Sequence, residues 1–357
     1  MKRLLGLFIL FALADNLFGQ SPSINNFIDS FAKKNNFNGT ILIQKKSKIT
    51  YQKSFGLANF QFKVPNKTET KYKIASITKL FTSVLIMQLY ESGKIDLDKT
   101  IKIYLPDYKG AGGDKVTIHQ LLNHTSGMKN IDTITSIESA VKNGVPVYQK
   151  PRTTDELIEK YCSDTLVNEP GKVFDYNNAD YIILGKIIEK VYNKTYEQAV
   201  KEKFLQPLNM TNSGLLYQQN IIDGLADTYF YRDDIKKLVP DLPVYMANWY
   251  AAGSMYSTTN DLLKFSNALF GLKLIKKETL EKLTKPGLDN YGYGIWSYQS
   301  ELNNKKYNVV KRPGQIMGSQ TMLFRFLDED ITIIILSNTG TTSLDNFVYE
   351  ISKRIVQ

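Results

Sequence analysis

The chain has 357 residues, a length that suits two domains or one large domain of two lobes. Of these residues, 43% are hydrophobic and 22% are charged, a composition that excludes extensive disorder. The formal net charge is +10, but the lysines are scattered among acidic residues, so we expect no nucleic-acid partner. A single cysteine, Cys162, excludes a disulfide within the chain, and with only two histidines we expect no metal and no other cofactor.

The first 19 residues have the pattern of a secretory signal peptide. Lys2 and Arg3 precede an apolar run over 4–14, which is too short to span a bilayer. We therefore predict cleavage after Gly19, a mature chain of residues 20–357, and a periplasmic or secreted location. We expect no membrane span in the rest of the chain.

The hydrophobic pattern of the mature chain predicts strands near both ends and helices between them. Helical periodicity is found over 23–34, 74–92, 116–122, 153–161, 179–191, 258–270 and 344–355. Alternating patterns predict a hairpin over 40–55 and strands over 307–311, 321–327 and 331–336. We therefore expect an α+β fold, with one antiparallel sheet assembled from both chain ends and flanked by helices. The α/β lobe would cover about 20–73 plus 250–357, and an inserted helical lobe about 74–249.

The sharpest motif is Ser76-Ile77-Thr78-Lys79, near the start of the helix predicted over 74–92. A spacing of three places the serine and the lysine about one turn apart on the same helical face. A serine needs a nearby base to act as a nucleophile, and burial among apolar neighbours favours the neutral form of a lysine. The pair is therefore a candidate nucleophile and base, although Ser-x-x-Lys alone is common by chance.

Two further segments carry groups suited to the same chemistry. Tyr176 precedes the helix predicted over 179–191, and its hydroxyl can donate or accept a proton, while Asn178 can hydrogen-bond a substrate amide. Near the C-terminus, Gly314 would let a substrate lie along a strand edge, and the backbone N–H of Gln315 could stabilise an oxyanion. Each segment taken alone is also typical of an ordinary loop or strand end.

In this order the motifs resemble those of the penicillin-recognising serine hydrolases, in the branch of class C β-lactamases, D-alanyl-D-alanine carboxypeptidases and family VIII carboxylesterases. The resemblance extends from Asn38 to about Asn338 and includes the segments 121–128, 207–210 and 252–257. It implies a β-lactamase/transpeptidase-like fold and acyl transfer through a covalent serine intermediate.

The resemblance implies a role for each candidate residue. Ser76 would be acylated by an amide, lactam or ester carbonyl, and Lys79 and Tyr176 would share the proton transfers. The backbone N–H groups of Ser76 and Gln315 would form the oxyanion hole, and Asn178 would hold the amide side of the substrate. The partner is then a small-molecule or peptide substrate, including cell-wall peptides.

The third motif departs from the family pattern of lysine or histidine, then threonine or serine, then glycine. This chain has Arg312-Pro313-Gly314 instead. Arg312 keeps a positive charge and is expected to grip a substrate carboxylate with two hydrogen bonds, whereas Pro313 lacks the hydroxyl that would help to hold it. The departure leaves acyl transfer intact and weakens the expected preference for carboxylate-bearing substrates, β-lactams included.

Two functions stay open from the sequence. The first is an exported serine hydrolase acting on D-amino-acid peptides, esters or β-lactams; the second is a penicillin-binding or cell-wall-binding protein that is acylated without turnover. A Ser-His-Asp mechanism on an α/β-hydrolase is not expected, because no Gly-x-Ser-x-Gly is present. We expect His124 to be structural, His119 to be a packing or helix-surface residue, and Cys162 to be buried and inert.

Overall fold

The computed structural model describes residues 24–356 except 133 and 135, so the predicted signal peptide lies outside the described residues. The strands are β1 (Gly39–Lys45), β2 (Lys48–Phe55), β3 (Leu57–Asn59), β4 (Val64–Pro65), β5 (Tyr72–Lys73), β6 (Gly214–Leu215), β7 (Tyr229–Arg232), β8 (Lys237–Pro240), β9 (Met255–Ser257), β10 (Trp296–Leu302), β11 (Lys305–Ile316), β12 (Ser319–Phe326) and β13 (Ile331–Ser337).

Most of the helices lie between β5 and β10, and one helix lies near each end of the chain. The α-helices are α1 (Ile24–Lys34), α2 (Thr78–Glu91), α3 (Ile101–Tyr104), α4 (Ile118–Leu122), α5 (Ile137–Asn143), α6 (Thr154–Tyr161), α7 (Asn178–Tyr192), α8 (Tyr196–Val200), α9 (Tyr250–Gly253), α10 (Thr259–Phe270), α11 (Lys277–Thr284) and α12 (Leu344–Ile355). Short 3-10 turns cover Ala75–Ile77, Met246–Trp249 and Leu288–Asn290, and a π-helical turn covers Lys201–Leu205. No helix among the described residues is long and apolar enough to cross a membrane.

The central sheet has six antiparallel strands in the order β10-β11-β12-β13-β1-β2. The pairing of β13 with β1 brings the two ends of the chain together in this sheet. Gly39 of β1 lies opposite Ser337 of β13, and Lys45 lies opposite Ile331. The predicted hairpin is confirmed as β1 and β2, with Lys46 in the left-handed conformation at its turn. The α+β prediction and the assembly of one sheet from both ends are therefore confirmed.

Side chains along the strands point alternately to the two faces of the central sheet, and each face packs against its own hydrophobic core. Ile41 and Ile43 of β1 face a smaller core made with α1 and α12, whereas Leu42 faces the larger core that contains α2, α7 and α10. This is the period of two expected of a strand buried on both faces. The larger core fixes α2 and α7, which carry Lys79 and Asn178, and Ser76 and Tyr176 lie just before these two helices.

The sequence-based bounds differ from the structure mainly around the candidate site. The helix predicted from residue 74 begins at Thr78, after a 3-10 turn, and β11 runs well beyond the predicted 307–311. The third motif therefore lies inside β11 and does not close it. Because β10 pairs with β11 only as far as Lys311, the end of β11 from residue 312 has a free edge. A free edge tolerates Pro313, which has no N–H to offer a further strand.

Candidate active site

Ser76 lies in the 3-10 turn directly before α2, at the wall of a cavity of about 340 Å³. The preceding residue, Ala75, has a φ of 48°, a conformation that costs a residue with a side chain about 1 kcal/mol or more. Two hydroxyls hold the turn, since Thr78 Oγ1 donates to the Ala75 carbonyl at 2.7 Å and Thr321 Oγ1 donates to the Ile74 carbonyl at 3.1 Å. The serine is thus presented by a strained turn and not by regular helix.

Lys79 is fully buried one helical turn beyond the serine. Its ammonium nitrogen lies 3.3 Å from Ser76 Oγ, 2.5 Å from Asn178 Oδ1 and 2.9 Å from the carbonyl oxygen of Ala252. Burial is the main cause that lowers the pKa of Lys79, and the charge of Arg312 lowers it further. The predicted serine–lysine pair is therefore in contact, in a setting that favours a neutral amine.

The hydroxyl of Tyr176 lies beside the same pair. Burial would raise the pKa of Tyr176, but the positive charges of Arg312 and Lys79 outweigh burial and lower the pKa to about 8. Lys79 Nζ also lies 4.8 Å from the centre of the tyrosine ring. Because each group shifts the other's titration, Lys79 and Tyr176 titrate as a coupled pair.

Arg312 is fully buried, and its guanidinium is occupied by three protein groups. Nε donates to the Ser76 carbonyl oxygen at 2.6 Å, Nη1 to the Tyr291 hydroxyl at 3.1 Å, and Nη2 to the Tyr176 hydroxyl at 2.6 Å. This geometry does not fit the prediction that Arg312 grips a substrate carboxylate, because its bidentate edge already faces two tyrosine hydroxyls. The guanidinium instead places its positive charge next to the Tyr176 hydroxyl, which accepts the hydrogen bond from Nη2.

Asn178, at the first turn of α7, connects the lysine to an acidic residue that sequence reasoning missed. Its Oδ1 accepts from Lys79, and its Nδ2 donates to Asp132 Oδ2 at 2.6 Å. The neighbouring Asn177 caps α7 by accepting from the Ala179 backbone N–H at 3.0 Å, which fixes the entry to the helix. Asn178 therefore lies at the predicted site, with both ends of its amide hydrogen-bonded.

Gly314 brings β11 against the 3-10 turn that carries Ser76. A Cβ at this position would lie 2.5 Å from the Ile74 carbonyl oxygen and 3.0 Å from the Ser76 backbone nitrogen. The side chain of the next residue, Gln315, is exposed and lines the same cavity as Ser76. The backbones of Ser76 and of the strand end are thus close neighbours, which is the arrangement that the predicted oxyanion hole requires.

His124 lies beneath the tyrosine as part of a fully buried pair with Asp180, at 2.8 Å between Nδ1 and Oδ2. Burial lowers the pKa of His124 and raises the pKa of Asp180, so we describe the pair as a hydrogen bond between neutral groups. The ring centre of His124 lies 4.4 Å from that of Tyr176. This position agrees with a structural histidine and offers no contact with Ser76.

Aromatic side chains that the sequence analysis did not single out complete the wall of the site. Trp296 stacks on Tyr176 with ring centres 6.0 Å apart, and Tyr291 lies edge-on to Trp296 at 4.6 Å. No motif marks these two residues or Asp132, which are far along the chain from Ser76 and Lys79. His119 instead hydrogen-bonds Tyr293 through Nδ1 at 2.6 Å, and Cys162 is buried, which raises the pKa of its thiol.

The fold and the serine–lysine–tyrosine cluster together define a class of protein, the β-lactamase-fold serine hydrolases. A family model described as Beta-lactamase matches residues 24–350, and the chain belongs to this family. The resemblance on which the site residues were assigned is therefore confirmed at the level of the family and its fold.

Individual relatives agree with this assignment. PbpX of Bacillus subtilis, named as a penicillin-binding protein, is 28% identical over 333 residues, covering 92% of this chain and 78% of PbpX. A solved penicillin-binding protein from Bacillus halodurans is 27% identical with a TM-score of 0.77, covering 91% of this chain and 98% of that one. A D-amino acid amidase from Ochrobactrum anthropi SV3 shares the fold at 22% identity and a TM-score of 0.75, with 93% and 96% covered.

Proposed function

We propose that the chain is an exported serine hydrolase that forms an acyl-enzyme on Ser76. The main support is the 3.3 Å contact between Lys79 Nζ and Ser76 Oγ, in a setting where burial lowers the pKa of the lysine. The substrate would present an amide, ester or β-lactam carbonyl, including D-amino-acid peptides of the peptidoglycan type. The apolar run over 4–14 supports export to the periplasm or the medium.

The proposed reaction has two halves that use the same groups. Ser76 Oγ attacks the substrate carbonyl carbon, and its proton passes to the Lys79–Tyr176 unit while the backbone N–H groups of Ser76 and Gln315 hold the oxyanion. Collapse breaks the bond to the leaving nitrogen or oxygen, which takes the proton and departs. Water then gives its proton to the same unit, attacks the acyl carbon and releases the acid, and Ser76 recovers its proton.

Covalent labelling tests the nucleophile. A fluorophosphonate probe should add one label to the protein, and peptide mass spectrometry should place that label on Ser76. The Ser76→Ala variant should remain unlabelled, whereas Ser92→Ala, just beyond α2, should label like the wild type. A label that persists in Ser76→Ala would refute the assignment.

A second candidate is a protein that is acylated without turnover, and the names of the penicillin-binding relatives favour it. Both candidates use the same residues and differ only in deacylation. Nitrocefin, p-nitrophenyl esters and D-Ala-D-Ala peptides would separate them, because an enzyme continues past the first equivalent of product. A burst of one equivalent followed by no further release with every substrate would favour the non-hydrolytic protein.

A further inference from the structure

Asp132 places a negative charge in a cavity beside the nucleophile. The side chain is partly exposed, and it lines a cavity of about 190 Å³ together with Asn178 and Gln315. Its two hydrogen bonds come from neutral groups, since the Tyr148 hydroxyl donates to Oδ1 at 2.6 Å and Asn178 Nδ2 donates to Oδ2 at 2.6 Å. An ionised carboxylate has about four acceptor positions, so Asp132 keeps room for donors from a ligand.

The direction of this carboxylate is fixed from two sides. Asn178 links it to Lys79, which is in contact with Ser76. On the other side, the ring of Tyr148 stacks on Trp249 with centres 3.6 Å apart and planes 3° apart, which holds the hydroxyl that donates to Asp132. A charge held in this way is preorganised for a ligand beside the reacting serine.

The residues that line this cavity favour a positively charged ligand. Neither a lysine nor an arginine is among its lining residues in the described part of the chain, and the one acidic lining residue is Asp132. Arg312, the nearby cation expected to bind a carboxylate, is buried, and each of its three nitrogens already donates to a protein group. The rest of the wall is largely apolar and includes Ile131 and Val147, which suits an apolar side chain next to the charged group.

We propose that Asp132 binds a free ammonium group on the acyl part of the substrate. The site would then favour amides and esters of amino acids, or peptides with a free amino terminus, over their N-acylated counterparts. This inference rests on the proposed function, because it names the substrate class of the same site. Hydrogen bonds between charged groups support a preference of roughly tenfold to a hundredfold.

The test measures binding without turnover, in protein that carries Ser76→Ala. The Kd of D-phenylalaninamide and of N-acetyl-D-phenylalaninamide would be measured by calorimetry at pH 6.5, where an α-amino group is mostly protonated. We expect the free amine to bind roughly ten times more tightly or better. Adding Asp132→Asn should abolish that preference, whereas Asp114→Asn, at a carboxylate outside the cavity whose side chain is 72% exposed, should leave it unchanged.

Three results would overturn the inference: equal affinities, no binding of either ligand, or a preference that survives Asp132→Asn in folded protein. The outcome is separable from that of the labelling experiment on wild-type protein. If Ser76 is not labelled and the ammonium preference still holds, the proposed chemistry is wrong and the binding site stands. If Ser76 is labelled and the preference is absent, the chemistry stands and the assignment of Asp132 falls.

Discussion

At the scale of single residues, the position of Arg312 predicts how activity depends on pH. Its guanidinium lowers the pKa of both Tyr176 and Lys79, so removing the charge should raise both values. Acylation that needs a deprotonated unit would then require a higher pH. In Arg312→Gln we expect the rising limb of kcat/KM against pH to move up by roughly one unit, which is about a tenfold loss at pH 7 that is recovered in alkali.

The matched control for this prediction is Arg312→Lys, which keeps a cation and should shift the limb less than Arg312→Gln does. Thermal melts of both variants would establish that they are folded. A limb that stays in place in folded Arg312→Gln would mean that the guanidinium does not set the titration of the Tyr176–Lys79 unit.

The sequence predicted the members of the site better than their contacts. The spacing of Ser76 and Lys79 depends on local helix geometry, so their proximity could be predicted from the motif alone. The inward orientation of Arg312 depends on hydroxyls contributed by Tyr176 and Tyr291, which are 136 and 21 residues away along the chain. Asp132 has no motif, and only the fold shows that it meets Asn178.

At the scale of elements, the close approach of β11 to the 3-10 turn that carries Ser76 sets the geometry of the candidate site. The helices predicted over 153–161 and 179–191 are confirmed as α6 and α7, because local signals fix their bounds: Thr153 forms a capping box, and Asn193 ends α7 in the left-handed conformation. The 3-10 turn before α2 had no such signal, because its conformation is fixed by tertiary hydrogen bonds, among them the one from Thr321. The length of β11 likewise depends on pairing with β12, a partner that a strand pattern alone does not reveal.

This contact predicts that Gly314→Ala will impair acylation. The added Cβ would lie 2.5 Å from a backbone oxygen of Ile74, which cannot rotate away, so the strand end must move from Ser76. A displacement of about 1 Å at the reacting groups can cost roughly a hundredfold in kcat/KM. We expect a loss of that order in acylation by a p-nitrophenyl ester, measured under single-turnover conditions.

Gln315→Ala is the control for this element, because its side chain is exposed and its backbone N–H is retained. It should acylate within a few-fold of the wild-type rate. Equal rates in Gly314→Ala and wild type would contradict the close approach of β11 to the turn, and an equal loss in Gln315→Ala would assign the effect to the side chain.

At the scale of the whole molecule, segments from the two ends of the chain contact each other in two places. β1 pairs with β13 in the sheet, and α1 packs on α12 over the smaller core. The ring of Phe347 in α12 stacks on Phe31 of α1 with centres 4.2 Å apart and meets Phe37 edge-on at 5.7 Å. These aromatic contacts are non-local, so their loss should affect the stability of the folded chain as a unit.

Phe347→Ala should therefore destabilise the protein strongly. The side chain is 0% exposed, and truncating a buried phenylalanine costs about 3–5 kcal/mol, since the transfer free energy is lost and a cavity remains. Tyr349→Ala, in the same helix at a position that is 47% exposed, should change the free energy of unfolding by only about 0.5 kcal/mol. Urea titrations followed by circular dichroism would compare the two midpoints. Similar midpoints would mean that the joined chain ends unfold separately from the rest of the molecule or contribute little to its stability.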